Sequence, residues 1–176
     1  SGLEGHAFFA VYDGHGGKEA AIISNRTVLP CIMKQKQYRD YVAAPVQQRD
    51  PKLLAQAMAD GFVQCDAEMR PNLPPPDTSG ALPSTVQPAR PSPIRTFGYA
   101  DRALPLWPGT TAVAVFITPT HLICANAGDS RSVYCKGAVV ALSEDHKPDN
   151  AEERARIERA GGHVAQGVMG MGPMRV

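Results

Sequence analysis

Two aspartates beside glycine are the residues of this sequence best suited to chemistry. Asp13 follows the apolar run HAFFAVY and precedes GHGG, whereas Asp129 lies in ANAGDSR, where a second apolar run ends. A carboxylate at a strand end, beside glycine carbonyls and His15, offers hard oxygen ligands and a titratable group. Such ligands suit Mg²⁺ or Mn²⁺ better than zinc. Two carboxylates that converge repel each other unless a cation lies between them, so we predict that Asp13 and Asp129 meet at a divalent metal site.

Simpler interpretations of both aspartates stay open. An isolated Asp-Gly pair is typical of a turn, but the segment after Asp13 leads into a helical pattern and not into a second hairpin strand. The patterns HExxH, HxxEH, GxSxG and GxxxxGK[ST] do not occur in the sequence. A nucleotide-binding protein whose glycines hold phosphates is a further alternative, although no Lys-Ser/Thr pair follows these glycines.

The composition of the sequence argues against two classes of binding partner, nucleic acids and membranes. The 176 residues include 18 Lys and Arg against 17 Asp and Glu, a net charge of +1. Nucleic-acid and acidic-membrane binders normally show a basic excess, and an apolar run of about 18 residues would be needed to span a bilayer. We therefore predict neither a nucleic-acid nor a membrane partner. The four cysteines lack CxxC spacing, which indicates reduced thiols and an intracellular protein, cytoplasmic or nuclear. Cys124 and Cys135 could nevertheless face each other across a hairpin.

The prolines divide the chain. Ten of the sixteen fall between Pro71 and Pro108, in a stretch without helical or strand periodicity. We predict a proline-rich insertion at 71–108 within one domain, whose two parts are residues 1–70 and 109–176. The insertion is either a plain surface segment or a ligand for a proline-reading partner.

The sequence of the first part, residues 1–70, predicts one strand followed by two helices. The first helix begins near Lys18, and Pro30 should kink or interrupt it. The second has Asp50 as its N-cap and Pro51 at its first position. Its apolar residues recur at steps of three and four and form one buried stripe: Leu54, Met58, Phe62, Cys65 and Met69.

The second part predicts strands and then a charged surface helix. TTAVAVFIT should be a strand covered on both faces, HLICANAG its neighbour, and SVYC with AVVAL a hairpin. We predict a capping box of Asn150 and Glu153 and a helix end at Gly161. Arg154 with Glu158, and Glu152 with Arg156, are spaced to pair. Runs of helices separate from runs of strands predict an α+β fold.

In this order, five segments together resemble the metal-dependent protein serine/threonine phosphatases of type 2C: FFAVYDGHGG, AMADGFVQCDAEM, GTTAVAVFI, LICANAGDSRSVYCKGAVVALSEDHKP and ERARIERAGGHV. The resemblance implies an αββα sandwich, in which two antiparallel sheets are flanked by helices. Compared with the family, both ends of this chain look truncated, which indicates an incomplete catalytic domain.

The resemblance also implies roles for individual residues. Asp13 would bridge two Mg²⁺ or Mn²⁺ ions, Gly14 would bind one through its carbonyl, and Asp129 would belong to an additional, weaker metal site. His15 would be the general acid. The implied reaction is hydrolysis of phosphoserine or phosphothreonine in phosphorylated protein substrates by a metal-activated water molecule.

Departures from the family pattern qualify that expectation. The family has a phosphate-binding arginine and a Glu-Asp pair upstream of Asp13, where this chain has only twelve residues. Two further metal-binding aspartates lie, in the family, beyond the point where this chain stops. We therefore expect the chain alone to be poorly active or inactive. The alternative is a pseudophosphatase, or a partner-binding module that uses the surface of the scaffold.

Overall fold

A computed structural model describes residues 3–75, 108–165 and 174–175. Most of the predicted insertion at 71–108 lies outside the described residues. The chain divides into two compact units, one formed by Ser1–Val11 with Thr111–Val176 and the other by Tyr12–Thr110.

Three helices dominate the Tyr12–Thr110 unit. They are α1 (Glu19–Lys34), α2 (Lys36–Ala43) and α3 (Pro51–Met69), with short 3-10 turns at Val46–Gln48 and Arg70–Asn72. Strand β2 (Gly14–His15) precedes α1 and pairs antiparallel with β3 (Gly109–Thr110).

Helix α3 begins and packs as its sequence predicts. The Asp50 side chain accepts a hydrogen bond of 2.9 Å from the backbone N–H of Lys52, and Pro51 is the first helical residue. Four residues of the predicted stripe are at most 9% exposed, and Phe62 is half-buried. The four are Leu54, Met58, Cys65 and Met69.

Helices α1 and α3 approach each other closely at a glycine. A Cβ added to Gly61 would lie 2.6 Å from Cγ1 and 2.8 Å from Cα of Ile32. Only glycine permits that approach, because the obstacle includes backbone atoms that cannot turn away. Ile32, Leu54 and Met58, all 0% exposed, form the centre of this core.

Pro30 does not interrupt α1, so of the two predicted alternatives only a kink stays open. The helix continues to Lys34, and Cys31 and Ile32 beyond the proline are both fully buried. Burial of these two side chains offsets the hydrogen bond that a proline removes from a helix.

Sequence patterning missed α2 altogether. Its buried face consists of Tyr38 and Tyr41, three residues apart, in an otherwise polar segment. The Arg49 guanidinium lies 5.4 Å from the centre of the Tyr41 ring and donates hydrogen bonds of 3.3 Å to the carbonyls of Val42 and Ala44. These contacts supply the stabilisation that the short helix lacks on its own.

A three-stranded antiparallel sheet forms the centre of the other unit. Strand β4 (Ala112–Ile117) lies between β1 (Ala7–Val11) and β5 (Leu122–Ala127). Most of β4 is buried, as the continuous apolar run predicts, because it has a neighbour on each edge and cover on its faces.

The predicted hairpin joins β6 (Val133–Lys136) to β7 (Ala138–Ala141) through Gly137, whose φ is 77°. Cys135 lies opposite Val139 in this hairpin, whereas Cys124 belongs to β5 and lies opposite Val115. The suggestion that the two cysteines face each other across a hairpin is therefore wrong. All four cysteines are free thiols.

Helix α4 (Ala151–Arg159) is capped by Asn150, which accepts a hydrogen bond of 3.0 Å from the N–H of Glu152. Glu153, the proposed second half of a capping box, instead binds Arg156, so the predicted Glu152–Arg156 pair does not form. The predicted pair of Arg154 with Glu158 does form, at 3.7 Å. Gly161, with a φ of 86°, follows the helix as predicted.

Strands β8 (Val164–Ala165) and β9 (Met174–Arg175) form a further antiparallel pair. Together, the helices and antiparallel sheets confirm the α+β class. No helix within the described residues is both long enough and apolar enough to cross a membrane.

Burial predicts how the four thiols react. Burial, together with the nearby Glu68 carboxylate, raises the pKa of the Cys31 thiol to about 11. Because the thiolate is the reactive form, we expect an aromatic disulfide reagent at pH 8 to modify exposed Cys135 first and partly buried Cys124 more slowly. Cys31 and Cys65 should react only after unfolding in guanidinium. Peptide mass mapping of a labelling time course measures the order, and Cys135→Ser should remove the fast phase. Early labelling of Cys31 would contradict the prediction.

Candidate functional site

The first candidate segment is the turn between β1 and α1. Asp13 lies two residues beyond the end of β1 and is exposed. Gly14 and His15 follow it as strand β2 and pair with Thr110 and Gly109. The chain then enters α1 at Glu19, which confirms that this glycine-rich segment joins a strand to a helix.

Glycine is required at several points of this turn. A Cβ on Gly14 would lie 3.0 Å from the carbonyl oxygen of Gly17 and 3.2 Å from Cβ of Ala21. Gly17 itself has a φ of 138°, which side chains disfavour. The imidazole of His15 lies against Gly109, where any Cβ would overlap Nε2. The backbone thus presents Asp13, Gly14 and His15 on one exposed turn.

The second candidate segment is the turn between β5 and β6. Asp129 is exposed at its tip. The preceding Gly128 has a φ of 103°, and a Cβ there would lie 2.7 Å from Cγ2 of Thr111. The Ser130 hydroxyl lies 2.6 Å from the Thr111 hydroxyl and anchors the other side of the turn to the start of β4.

The Asp129 turn is also tied to the segment 144–147. Arg131 donates two hydrogen bonds, of 2.8 and 2.9 Å, to the carboxylate of Asp145, and the amine of Lys147 lies 3.6 Å from the same carboxylate. The hydrogen bonds from Arg131 lower the pKa of Asp145, and the positive charges of Arg131 and Lys147 act in the same direction. A bidentate pair of this kind fixes orientation as well as distance.

Asn126 and His146 also connect the Asp129 turn to the segment 144–147. The Asn126 amide donates hydrogen bonds of 3.0 Å to the carbonyl of Gly128 and 2.7 Å to the carbonyl of Glu144. The backbone N–H of His146 donates to the Gly128 carbonyl at 2.9 Å, and the Gly128 N–H donates to Nδ1 of His146 at 3.4 Å. Asn126 was missed at the sequence level, although a lone amide in the apolar strand LICANA was a signal.

The metal-ligating atoms available on these turns are of the type that a hard cation prefers. The carboxylates of Asp13 and Asp129 and the backbone of Gly14 are exposed and provide oxygen ligands. The buried Oδ1 of Asn126 accepts no hydrogen bond from the described residues, so a further acceptor adjoins the Asp129 turn. In number, the donors fall short of a full coordination shell, because the described residues contain no close group of three or more His, Cys, Asp or Glu side chains.

The structure brings Asp13, Gly14 and His15 together in the Tyr12–Thr110 unit and places Asp129 in the other unit. The prediction that Asp13 and Asp129 meet at a shared metal site stays a prediction. His146 contacts the Asp129 turn through Nδ1, which accepts a hydrogen bond from the N–H of Gly128.

An α+β scaffold with exposed strand-end carboxylates in glycine turns offers oxygen ligands of the type that divalent cations prefer. The family model of protein phosphatase 2C matches residues 1–172. The chain belongs to the protein phosphatase 2C family, a family of metal-dependent protein phosphatases.

Individual relatives agree with this assignment. The chain is 33% identical over 160 residues to protein phosphatase 2C 77 of Arabidopsis thaliana, an alignment covering 89% of this chain and 30% of that protein. It is 33% identical over 165 residues to protein phosphatase 1A of Mus musculus, covering 93% and 35%. The serine-threonine phosphatase 2C of Toxoplasma gondii superposes with a TM-score of 0.67 at 20% identity, covering 99% of this chain and 51% of that one. The chain thus spans about a third of these two curated relatives and half of the solved structure.

Proposed function

We propose that this chain forms part of a protein serine/threonine phosphatase that hydrolyses phosphoserine and phosphothreonine in phosphorylated proteins. The family match across residues 1–172 is the observation that carries the proposal. The exposed turn bearing Asp13, Gly14 and His15 supports it, because the oxygen ligands and the titratable ring required by the reaction lie side by side there.

Each residue of the turn has a separate role in the proposed mechanism. The Asp13 carboxylate and the Gly14 carbonyl would hold two Mg²⁺ or Mn²⁺ ions, and Asp129 would hold a further ion. When bound, these ions supply positive charge that stabilises the phosphoryl group and lowers the pKa of an attacking water molecule. His15 would donate a proton from its imidazole to the departing serine or threonine oxygen. The ring of His15 lies against Gly109, where a side chain would overlap Nε2.

Residues 12–18 contain no serine, threonine or cysteine, which agrees with a reaction in which water is the nucleophile. Phosphoryl transfer depends on positioning and positive charge more than on a covalent intermediate with the protein. We propose the cytoplasm or nucleus as the compartment, because the four cysteines are free thiols.

The shortage of ligands favours a second candidate function. Because no close group of three His, Cys, Asp or Glu side chains occurs in the described ranges, the chain could instead be a pseudophosphatase or partner-binding module. That function predicts unchanged partner binding after Asp13 and Asp129 are both replaced.

Phosphatase assays at two chain lengths test the proposal. We expect the 176-residue chain to hydrolyse a phosphothreonine peptide poorly with Mn²⁺, because one carboxylate, one carbonyl and water make a weak site. A polypeptide as long as the curated relatives and containing these residues should be active with Mn²⁺ and inactive with EDTA. Full activity in the short chain would overturn the ligand argument, and a metal-independent or inactive long protein would favour the pseudophosphatase.

A further inference from the structure

We propose that Asn126 is the positioning residue of the Asp129 turn, which it holds in the conformation that binds a cation. This inference rests on the proposed function, in which Asp129 is a metal ligand. Asn126 would act through the backbone on either side of Asp129 and would not itself bind the metal.

The side-chain amide of Asn126 makes two hydrogen bonds that support this role. Asn126 lies near the end of β5, opposite Val113, and is half-buried. Its Nδ2 has two hydrogens and two carbonyl partners, Gly128 at 3.0 Å and Glu144 at 2.7 Å. The first partner precedes Asp129 by one residue, and the second lies in the segment that contacts the turn. One side chain therefore joins the metal-ligand turn to its supporting segment.

Neither aspartate nor alanine would make both contacts at this position. Aspartate has the same shape but lacks N–H donors, so its carboxylate would face two carbonyl oxygens. Alanine would leave the Glu144 carbonyl without this donor. The Gly128 carbonyl would keep its 2.9 Å hydrogen bond from the backbone N–H of His146. A replacement should consequently loosen the turn without detaching it from the segment.

The remaining amide oxygen, Asn126 Oδ1, is buried and accepts no hydrogen bond from the described residues. Asn126 therefore acts on the turn through its two N–H donors.

The test measures Mn²⁺ affinity and backbone exchange in the full 176-residue chain. Mn²⁺ is titrated by water-proton relaxation, at a temperature at which circular dichroism shows every variant folded. The difference between the unmodified chain and Asp129→Ala defines the binding that depends on Asp129. Hydrogen–deuterium exchange of the Gly128 and His146 amides reports the turn independently of metal.

Thr118→Val is the matched control. Thr118 is 7% exposed, lies at the opposite end of the β4–β5 hairpin, and its hydroxyl accepts a hydrogen bond of 2.9 Å from the N–H of His121. The variant should destabilise the same hairpin without touching the Asp129 turn. Asn126→Ser, a milder change that keeps one donor, replaces Asn126→Ala if the latter does not fold.

We expect Asn126→Ala and Asn126→Asp to weaken the Asp129-dependent Mn²⁺ affinity by about 10- to 100-fold, the usual cost of losing an outer-shell partner. Both should speed exchange at Gly128 and His146, whereas Thr118→Val should do neither. Unchanged affinity in the Asn126 variants, or an equal loss in Thr118→Val, would overturn the inference. If Asp129→Ala binds Mn²⁺ like the unmodified chain, the metal role of Asp129 fails instead. Hydrogen–deuterium exchange still tests the positioning role in that case. Unchanged exchange rates of the Gly128 and His146 amides in Asn126→Ala would show that Asn126 does not hold the turn.

Discussion

Asp13→Ala should reduce Mn²⁺-dependent phosphatase activity by about three orders of magnitude, since the carboxylate is proposed to hold both ions that stabilise the reaction. The measurement is kcat/KM with a phosphothreonine peptide, in a polypeptide of the relatives' length that contains these residues. The loss should appear mainly in kcat, because the missing charge stabilises the transition state more than it binds the peptide. Asp13→Asn should lose nearly as much, since an amide keeps the shape but removes the charge.

Asp149→Asn is the matched control for this change. Asp149 is another exposed aspartate in a loop, and it lies outside both candidate turns. It should leave kcat/KM within about a factor of two, because exposed substitutions away from a site usually have small effects. Substantial activity in folded Asp13→Ala would contradict the metal role assigned to Asp13.

Leu54→Ala should lower the free energy of unfolding by about 2–5 kcal/mol, the range for leucine removed from a well-packed core. Leu54 is 0% exposed, as are Ile32 and Met58, the other large side chains of this core. Because Gly61 brings the backbone of α3 against Ile32, the helices cannot move closer to fill the cavity. Urea unfolding followed by circular dichroism at 222 nm, where α1 and α3 contribute strongly, measures the change.

Val63→Ala on the same helix separates burial from helix formation. Val63 is 73% exposed, so its replacement removes little buried surface and improves helix propensity slightly. We expect no loss of stability from it. A Leu54→Ala variant as stable as Val63→Ala would show that the α1–α3 contact does not form the core described here.

The predictions that succeeded concern interactions between residues close together in sequence. The Asp50 cap, the buried stripe of α3 and the turn at Gly137 each depend on spacings of one to four residues. The glycine-rich segment after Asp13 also ends a strand and begins a helix, as predicted. Such features can be predicted from the sequence because each depends on the backbone geometry of a few neighbouring residues.

Local spacing did not decide two outcomes, namely whether α1 is interrupted at Pro30 and which glutamate pairs with Arg156. Helix α1 continues through Pro30 because Cys31 and Ile32 are buried against α3, and no local pattern reports that contact. Arg156 bonds to Glu153 in preference to Glu152, although local spacing allows both pairs.

By itself, the sequence determined the α+β class, the family, and the exposed turn that carries Asp13, Gly14 and His15. Composition, periodicity and an ordered set of motifs suffice for these, because each is a property of contiguous residues. Tertiary structure alone decided that Asn126 joins the Asp129 turn to Glu144, 18 residues away. It likewise decided that Arg131 fixes Asp145. Hydrogen bonds between distant segments depend on how strands and loops fold back on one another, and that arrangement is set by the packing of the whole unit.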